Sequence, residues 1–282
     1  MSIIRILMFI SLGLLAAQGV SATSAADEST PAAAMDGAPE TVAVLAAGYA
    51  ATGLPDFSVY GDVSTKKSRF FSYLLPLVTA ENQRLEAIRK RLNYIYDHVR
   101  WHREVDVADE LWLASVVSEF RLQQQSPAEA GFWQAALDRV DAVPEDLVLV
   151  QAANESAWGT SRFAREGNNL FGQWCFRPGC GMVPSGRPAD GTYEVARFAS
   201  VTESIGSYMH NLNTGEQYQL LREIRAGLRD DGKDPDAAAL AMGLQYYSTR
   251  GMDYVNELRA MIRHNEKILT DVRQSGATDG NS

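Results

Sequence analysis

Between Pro144 and Glu155 the sequence reads PEDLVLVQAANE, and Leu147, Val148, Leu149, Val150, Ala152 and Ala153 leave the segment almost no polar side. A helix that is apolar nearly all round belongs at the centre of a protein, not on its surface, so the rest of the chain has to pack around it. Glu155 ends this segment. Counted back by helical steps it shares a face with Ala152 and Val148, which puts its carboxyl at the end of an apolar stripe in the last turn. Desolvation and the negative end of the helix dipole both disfavour the carboxylate there and push its pKa up. If the helix continues one more turn, Trp158 lies over the same carboxyl.

Most of the remaining chain carries the helical period. Residues 66–75 and, after Pro76, 77–102 read as two amphipathic helices, with Leu85, Ile88, Leu92 and Ile95 at spacings of three and four. Further helical patterns cover 108–123, 127–139, 144–156, 201–212, 217–228, 236–246 and 253–273, with Pro127 and Pro144 suited to first-turn positions where a missing N–H is harmless. Strand signal is confined to 192–198 (TYEVARF), after the turn-rich stretch 177–191 with its prolines and glycines. These patterns predict a mostly α domain with a small irregular or β lobe inserted near its middle.

The ends of the chain differ in character from the middle. Residues 1–22 have Arg5, an apolar run from Ile6 to Ala17 and small residues at Val20-Ser21-Ala22, the three-part pattern of a secretory signal. The apolar run is shorter than the roughly 20 residues a bilayer span needs, so the expectation is a periplasmic or otherwise exported protein, with transient membrane association if the signal stays uncleaved. Residues 23–63 read as a flexible tether, because their first part is rich in Ala, Ser and Pro with little to bury. The domain proper is expected over 64–273, followed by a disordered tail at 274–282. With 26 Lys and Arg against 35 Asp and Glu the net charge is −9, which disfavours nucleic acid as a partner, since such binding needs a basic surface.

A carboxylic acid kept protonated near neutral pH is what protonation of a glycosidic oxygen requires. A solvated glutamate at a helix terminus would give the same local pattern, and helix periodicity alone leaves both readings open.

The strings that separate them are Gln151 to Ser161 (QAANESAWGTS) and Asn168-Asn169-Leu170-Phe171-Gly172. Together they resemble the glucosaminidase family that cleaves bacterial cell-wall peptidoglycan (glycoside hydrolase family 73, flagellar peptidoglycan hydrolase-like). Gly172-Gln173-Trp174-Cys175, Gly179-Cys180-Gly181, Glu194 to Phe198, Ser204 to Asn213, and Tyr247 to Gly251 with Tyr254 and Leu258 are similar to its Bax-like subgroup, and the likeness runs from about Lys66 to Arg273. The resemblance implies an α+β, mostly α, lysozyme-like fold with a catalytic glutamate at the end of a central helix, facing the β lobe across a cleft. It implies Glu155 as general acid, Glu194 as the second acidic residue and Tyr247 as a further catalytic group. Trp158, Asn169, Trp174 and Tyr246 are then the substrate-binding candidates, flat aromatic faces packing on sugar rings. Phe171 and Tyr254 read as core.

Cys175 and Cys180 flank the turn-prone Phe-Arg-Pro-Gly, and in an exported chain they read as a local disulfide that shapes the lobe. His98 and His102 are four apart but lack further ligands for a metal. The acidic stretch 230–236 lacks the Gly and Glu spacing of a calcium loop and reads as a solvated turn, with Asp236 capping the next helix. No metal or organic cofactor is implied.

The expectation is therefore an exported endo-β-N-acetylglucosaminidase-like hydrolase with peptidoglycan glycan strands as its partner. A lytic transglycosylase, or a non-catalytic glycan-binding or envelope-assembly protein, are the alternatives. Retaining cleavage needs carboxyls about 5 Å apart and inverting cleavage about 6.5 to 9.5 Å, and the absence of a second carboxylate would favour participation by the substrate's own N-acetyl group.

Overall fold

The computed structural model describes residues 53–188 and 190–279. The expected secretory signal at 1–22, the part of the expected tether up to residue 52 and residues 280–282 of the expected tail lie outside the described residues. The elements in chain order are α1 (Val63–Arg100), α2 (Val107–Glu119), α3 (Ala130–Arg139), α4 (Glu145–Glu155), α5 (Arg162–Gly167), β1 (Trp174–Cys175), β2 (Gly181–Met182), β3 (Glu194–Ala196), α6 (Val201–Thr214), α7 (Gln219–Asp230), α8 (Ala237–Leu240) and α9 (Met252–Asp279). This is the mostly α, lysozyme-like α+β fold expected. The strands form one antiparallel sheet in the order β1-β3-β2, with Trp174 opposite Val195 and Gly181 opposite Ala196.

Helix α4 occupies the centre. Every residue from Leu147 to Ala153 is buried, and α1, α8 and α9 pack against it. Pro144 stands at its N-cap, one residue before the first helical turn, and Pro127 lies in the turn ahead of α3.

Helix α1 runs straight through Pro76, so the two helices expected on either side of it are one. Proline inside a helix costs about 3 kcal/mol through the lost hydrogen bond and the clash with residue i−4. Here that residue is the exposed Ser72, and Phe70, Phe71, Leu74, Leu77 and Val78 are all fully buried around it. At about 1.5–3 kcal/mol for each large apolar side chain, burial outweighs the break.

Order also begins earlier than the composition of the tether implies. A short 3-10 turn at Phe57–Val59, capped by Asp56, inserts Phe57 into the core, where its ring meets Phe70 edge-on at 5.3 Å. One large apolar residue anchors this segment. At the other end α9 continues to Asp279, beyond the Arg273 boundary read from the sequence.

A buried charge cluster ties α7 to the α3–α4 connection. Arg225, 1% exposed, donates to the carbonyls of Asp138, Asp141 and Ala142, while Arg229 forks onto both carboxylate oxygens of Asp141. Asp236 caps α8 by accepting from the Ala239 amide at 2.6 Å, as expected.

Candidate functional site

Helix α4 stops at Glu155 because the next turn is left-handed. Ala157, Trp158 and Gly159 have φ of 51°, 60° and 76°. For the two non-glycine residues this conformation costs roughly 1–2 kcal/mol each, and strain of this kind gathers at functional sites. Ser156, fully buried, braces the turn: its hydroxyl donates to the Ala152 carbonyl at 2.6 Å and accepts from the Gly159 amide at 2.7 Å. Gly159 is required twice over, by its φ and by Phe57, whose ring would lie 2.7 Å from any Cβ.

The turn moves Trp158 off the helical path. The expected overlap with Glu155 is replaced by edge contacts with Phe70 and Phe71 at 5.6 and 5.3 Å, and Lys67 Nζ lies 4.9 Å from the indole centroid. Trp158 seals the end of α4 against α1.

The carboxyl of Glu155 is half-buried. Its Oε1 accepts from the Tyr254 hydroxyl at 2.7 Å and, more weakly, from Asn154 Nδ2 at 3.4 Å. Burial raises its pKa above the ordinary glutamate value; the Tyr254 and Asn154 bonds pull it down, and Glu257 and Arg250 act in opposite directions. Behind Tyr254 the polar chain continues inward. Gln151 Nε2 donates to the Tyr254 oxygen at 2.9 Å, and the Tyr208 hydroxyl donates to Gln151 Oε1. Burial holds the hydroxyls of Tyr208 and Tyr254 well above the ordinary tyrosine range, so both are neutral donors.

Tyr247 stacks on Tyr254, with centroids 5.5 Å apart and planes 6° apart, and its hydroxyl donates to the Phe171 carbonyl at 2.5 Å. Burial pushes this hydroxyl up as well, so Tyr247 backs the Tyr254 ring and holds the loop before β1. Its neighbour Tyr246 is 72% exposed. Trp174, 56% exposed on β1, stacks on Tyr193 at 4.5 Å and 7°, an aromatic pair with surface to offer a flat ligand.

Asn169 is a different case from the substrate-binding residue expected. It is 2% exposed, its Nδ2 donates to the carbonyls of Gln173 and Ala196, and its Oδ1 accepts from the amides of Phe171 and Gln173. Every bond an asparagine side chain can make is used, and the residue fastens the loop to β3.

Glu194 is likewise committed within the lobe. It is 8% exposed, and its two oxygens accept from the amides of Gly179 and Gly181 at 3.1 and 2.8 Å, which hold its pKa below the ordinary value. Those glycines flank Cys180, and the expected Cys175–Cys180 disulfide is present, with Cα atoms 6.2 Å apart. The carboxylate and the disulfide thus fasten the same short loop. Among the described residues no hydrogen bond links the Glu194 carboxylate to Glu155 or to its partners Tyr254 and Asn154.

His98 and His102 do not share a helix face, because α1 ends at Arg100 and His102 is left-handed. A cavity of about 620 Å³ opens between Arg121, Gln124, Arg139, Asn211 and Glu216, and none of the residues above lines it. Sequence reasoning left out Gln151 and Tyr208; Tyr254, read as core, is buried in the core at 2% exposure and in addition carries its hydroxyl to Glu155. The available signal was Gln151 itself, a lone amide in an otherwise apolar stretch, since a buried polar group must find partners.

Residues 131–267 match the glucosaminidase family model, described as mannosyl-glycoprotein endo-beta-N-acetylglucosaminidase. The chain is 32% identical over 218 residues to "Protein bax" of Escherichia coli (strain K12), an alignment that covers 77% of this chain and 76% of the relative. No solved structure matches the chain. The matched region spans α4, the β lobe and α9 as far as residue 267, Tyr254 included, and the chain belongs to the glucosaminidase family as a Bax-like member.

Proposed function

We propose that this protein is an exported peptidoglycan hydrolase of the endo-β-N-acetylglucosaminidase type, with Glu155 as its general acid. The observation that carries this reading is the Glu155 carboxyl itself: it ends a helix buried from Leu147 to Ala153, is desolvated enough to raise its pKa, and is held on one oxygen by Tyr254. Such a group keeps a proton at a pH where an exposed glutamate has lost it. Family membership supports a glycan substrate, read here as an N-acetylglucosaminide, and the secretory pattern of residues 1–22 supports delivery to the cell envelope.

In the proposed reaction Glu155 gives its proton to the glycosidic oxygen as the C1–O bond breaks. With Glu194 engaged by Gly179 and Gly181, the group that attacks C1 is the substrate's own N-acetyl oxygen, an established exception to the two-carboxylate scheme. Water then opens the cyclic intermediate, and the Glu155 carboxylate takes its proton back from that water. Trp174 with Tyr193, and the exposed Tyr246, are the proposed sugar platforms. An acidic chain gains little from bulk attraction to an often anionic glycan, so added salt should weaken binding little.

The test is mass spectrometry of the products formed from peptidoglycan in heavy-oxygen water. Reducing N-acetylglucosamine ends that carry the label support the proposal. Anhydro-muramic ends without label would assign the protein to the lytic transglycosylases, and no product that depends on Glu155 would leave a glycan-binding or assembly role.

A further inference from the structure

We propose that Gln151 is a positioning residue for the acid: it fixes the direction of the hydrogen-bond chain from Tyr208 through Tyr254, so that Glu155 Oε1 is held as an acceptor and Oε2 carries the proton that is released. The inference rests on the reading of Glu155 as general acid and adds which oxygen acts and what selects it.

Gln151 is 0% exposed and lies one helical turn before Glu155 on the same face of α4. Its amide is the junction of the chain. A tyrosine hydroxyl has a single proton, and the Tyr254 oxygen already receives one bond from Gln151 Nε2, so the Tyr254 proton goes to Glu155 Oε1 at 2.7 Å. Turning the amide over would reverse this. Gln151 Oε1 would then draw the Tyr254 proton, Tyr254 would present a lone pair to Glu155, and the acid would keep its proton on Oε1, aimed into the protein. Tyr208 prevents the reversal. Its hydroxyl is buried and, among the described residues, has Gln151 Oε1 as its only acceptor. A reversed amide would leave that O–H with no acceptor, the unfavourable case for a buried donor. Oε2 has no hydrogen-bond partner among the described residues, while Oε1 has two, so Oε2 is the oxygen free to face a leaving group.

The charged and titratable groups around Glu155 are few. Tyr254 and Glu257 approach from α9, Arg250 from the turn before it, and the electrostatic influence of Glu155 reaches Tyr208 on α6 and Tyr247. Glu257 and Arg250 are paired with each other at 2.6 Å and remain so in the variants below.

The experiment follows the Glu155 carboxyl by carbon NMR in glutamate-labelled protein, assigned with Glu155→Gln, beside the pH profile of peptidoglycan cleavage. Gln151→Met removes both links at similar volume, and Tyr208→Phe removes only the lock on the amide. With Gln151 gone, Tyr254 is free to accept from a protonated Glu155. The expected result is a rise in the Glu155 titration midpoint by about one pH unit, tenfold in the protonation equilibrium, with the alkaline limb of cleavage moving equally. Tyr208→Phe should move both in the same direction by less, and the double variant no further than Gln151→Met alone. If Gln151→Met does not fold, Tyr208→Phe decides. A midpoint left at the wild-type value in folded Gln151→Met, or in Tyr208→Phe where that variant decides, would overturn the role of Gln151. The NMR titration needs no turnover, so a wild type without Glu155-dependent cleavage would instead count against the proposed function.

Discussion

The hydroxyl of Tyr254 lies 2.7 Å from Oε1 of Glu155, although 99 residues separate them in sequence. One end of this pair belongs to the central helix and the other to the first turn of α9, so the Glu155 carboxyl is oriented by the element that closes the fold. Burial raises the Glu155 pKa and the Tyr254 bond lowers it, and Tyr254→Phe removes only the second effect. A general acid works while protonated, so activity is full below its pKa and falls as pH rises through it. The alkaline limb of kcat/KM in Tyr254→Phe should therefore move to higher pH by about one unit, the low end of what a hydrogen bond to a charged group is worth. An unmoved limb would mean that the hydroxyl does not act on Glu155.

Stability should report the same carboxyl. Because the folded pKa of Glu155 is raised above 4.5, the native state holds more protons than the unfolded chain between those two values, and stability falls as pH rises through that window. Glu155→Gln has no such loss. Thermal unfolding of the variant and the wild type should agree near pH 4, where the wild-type carboxyl is largely protonated in both the folded and the unfolded chain, and diverge as pH rises through the window, leaving Glu155→Gln the more stable above the folded pKa. A constant difference across pH would contradict the raised pKa.

The lobe gives an opposite sign. The Glu194 pKa is held down by the amides of Gly179 and Gly181, so its contribution is present above the ordinary glutamate range and is lost as pH falls through the lower folded value. Protection factors at Gly179 and Gly181, taken relative to the intrinsic exchange rate at each pH, should fall at acid pH while helix α4 stays protected. As a structural fastening, Glu194→Gln should keep turnover within about tenfold of wild type, whereas loss of a general base removes about 10²–10⁴. A loss in the latter range without exposure of the loop would restore Glu194 as a catalytic group.

How far the sequence spoke depended on the range of the interaction. The central helix, Glu155 at its end, the cap at Asp236 and the Cys175–Cys180 pairing were legible because each is local: an apolar run, a capping spacing, two cysteines around a turn. Pro76 misled because its local penalty is outweighed by residues on both sides that meet distant helices. Trp158 misled because the left-handed turn after Ser156 depends on Phe57 and Gly159 meeting across the core. Asn169 and Tyr254 make contacts that their sequence context does not show, for a related reason. A polar motif residue is saturated by backbone, and an aromatic that reads as core carries its hydroxyl to Glu155. None of these contacts leaves a periodic trace in the chain.

Trp174 separates binding from folding. It is largely exposed and its ring rests on Tyr193, so Trp174→Ala should leave the thermal midpoint near wild type. Losing one stacked aromatic, worth about 0.5–1.5 kcal/mol beyond area, should weaken glycan binding roughly tenfold. Equilibrium binding of soluble glycan fragments to the inactive Glu155→Gln protein, with and without Trp174→Ala, checks this; unchanged affinity would remove Trp174 from the binding surface.

The most direct measurement is the release of new reducing ends from purified peptidoglycan by the purified protein and by Glu155→Gln, compared across pH. Wild-type activity that declines on the alkaline side, with at least about a hundredfold loss in a folded Glu155→Gln variant, is the expected result. Equal rates from the two proteins would contradict the assignment of Glu155 as the acid.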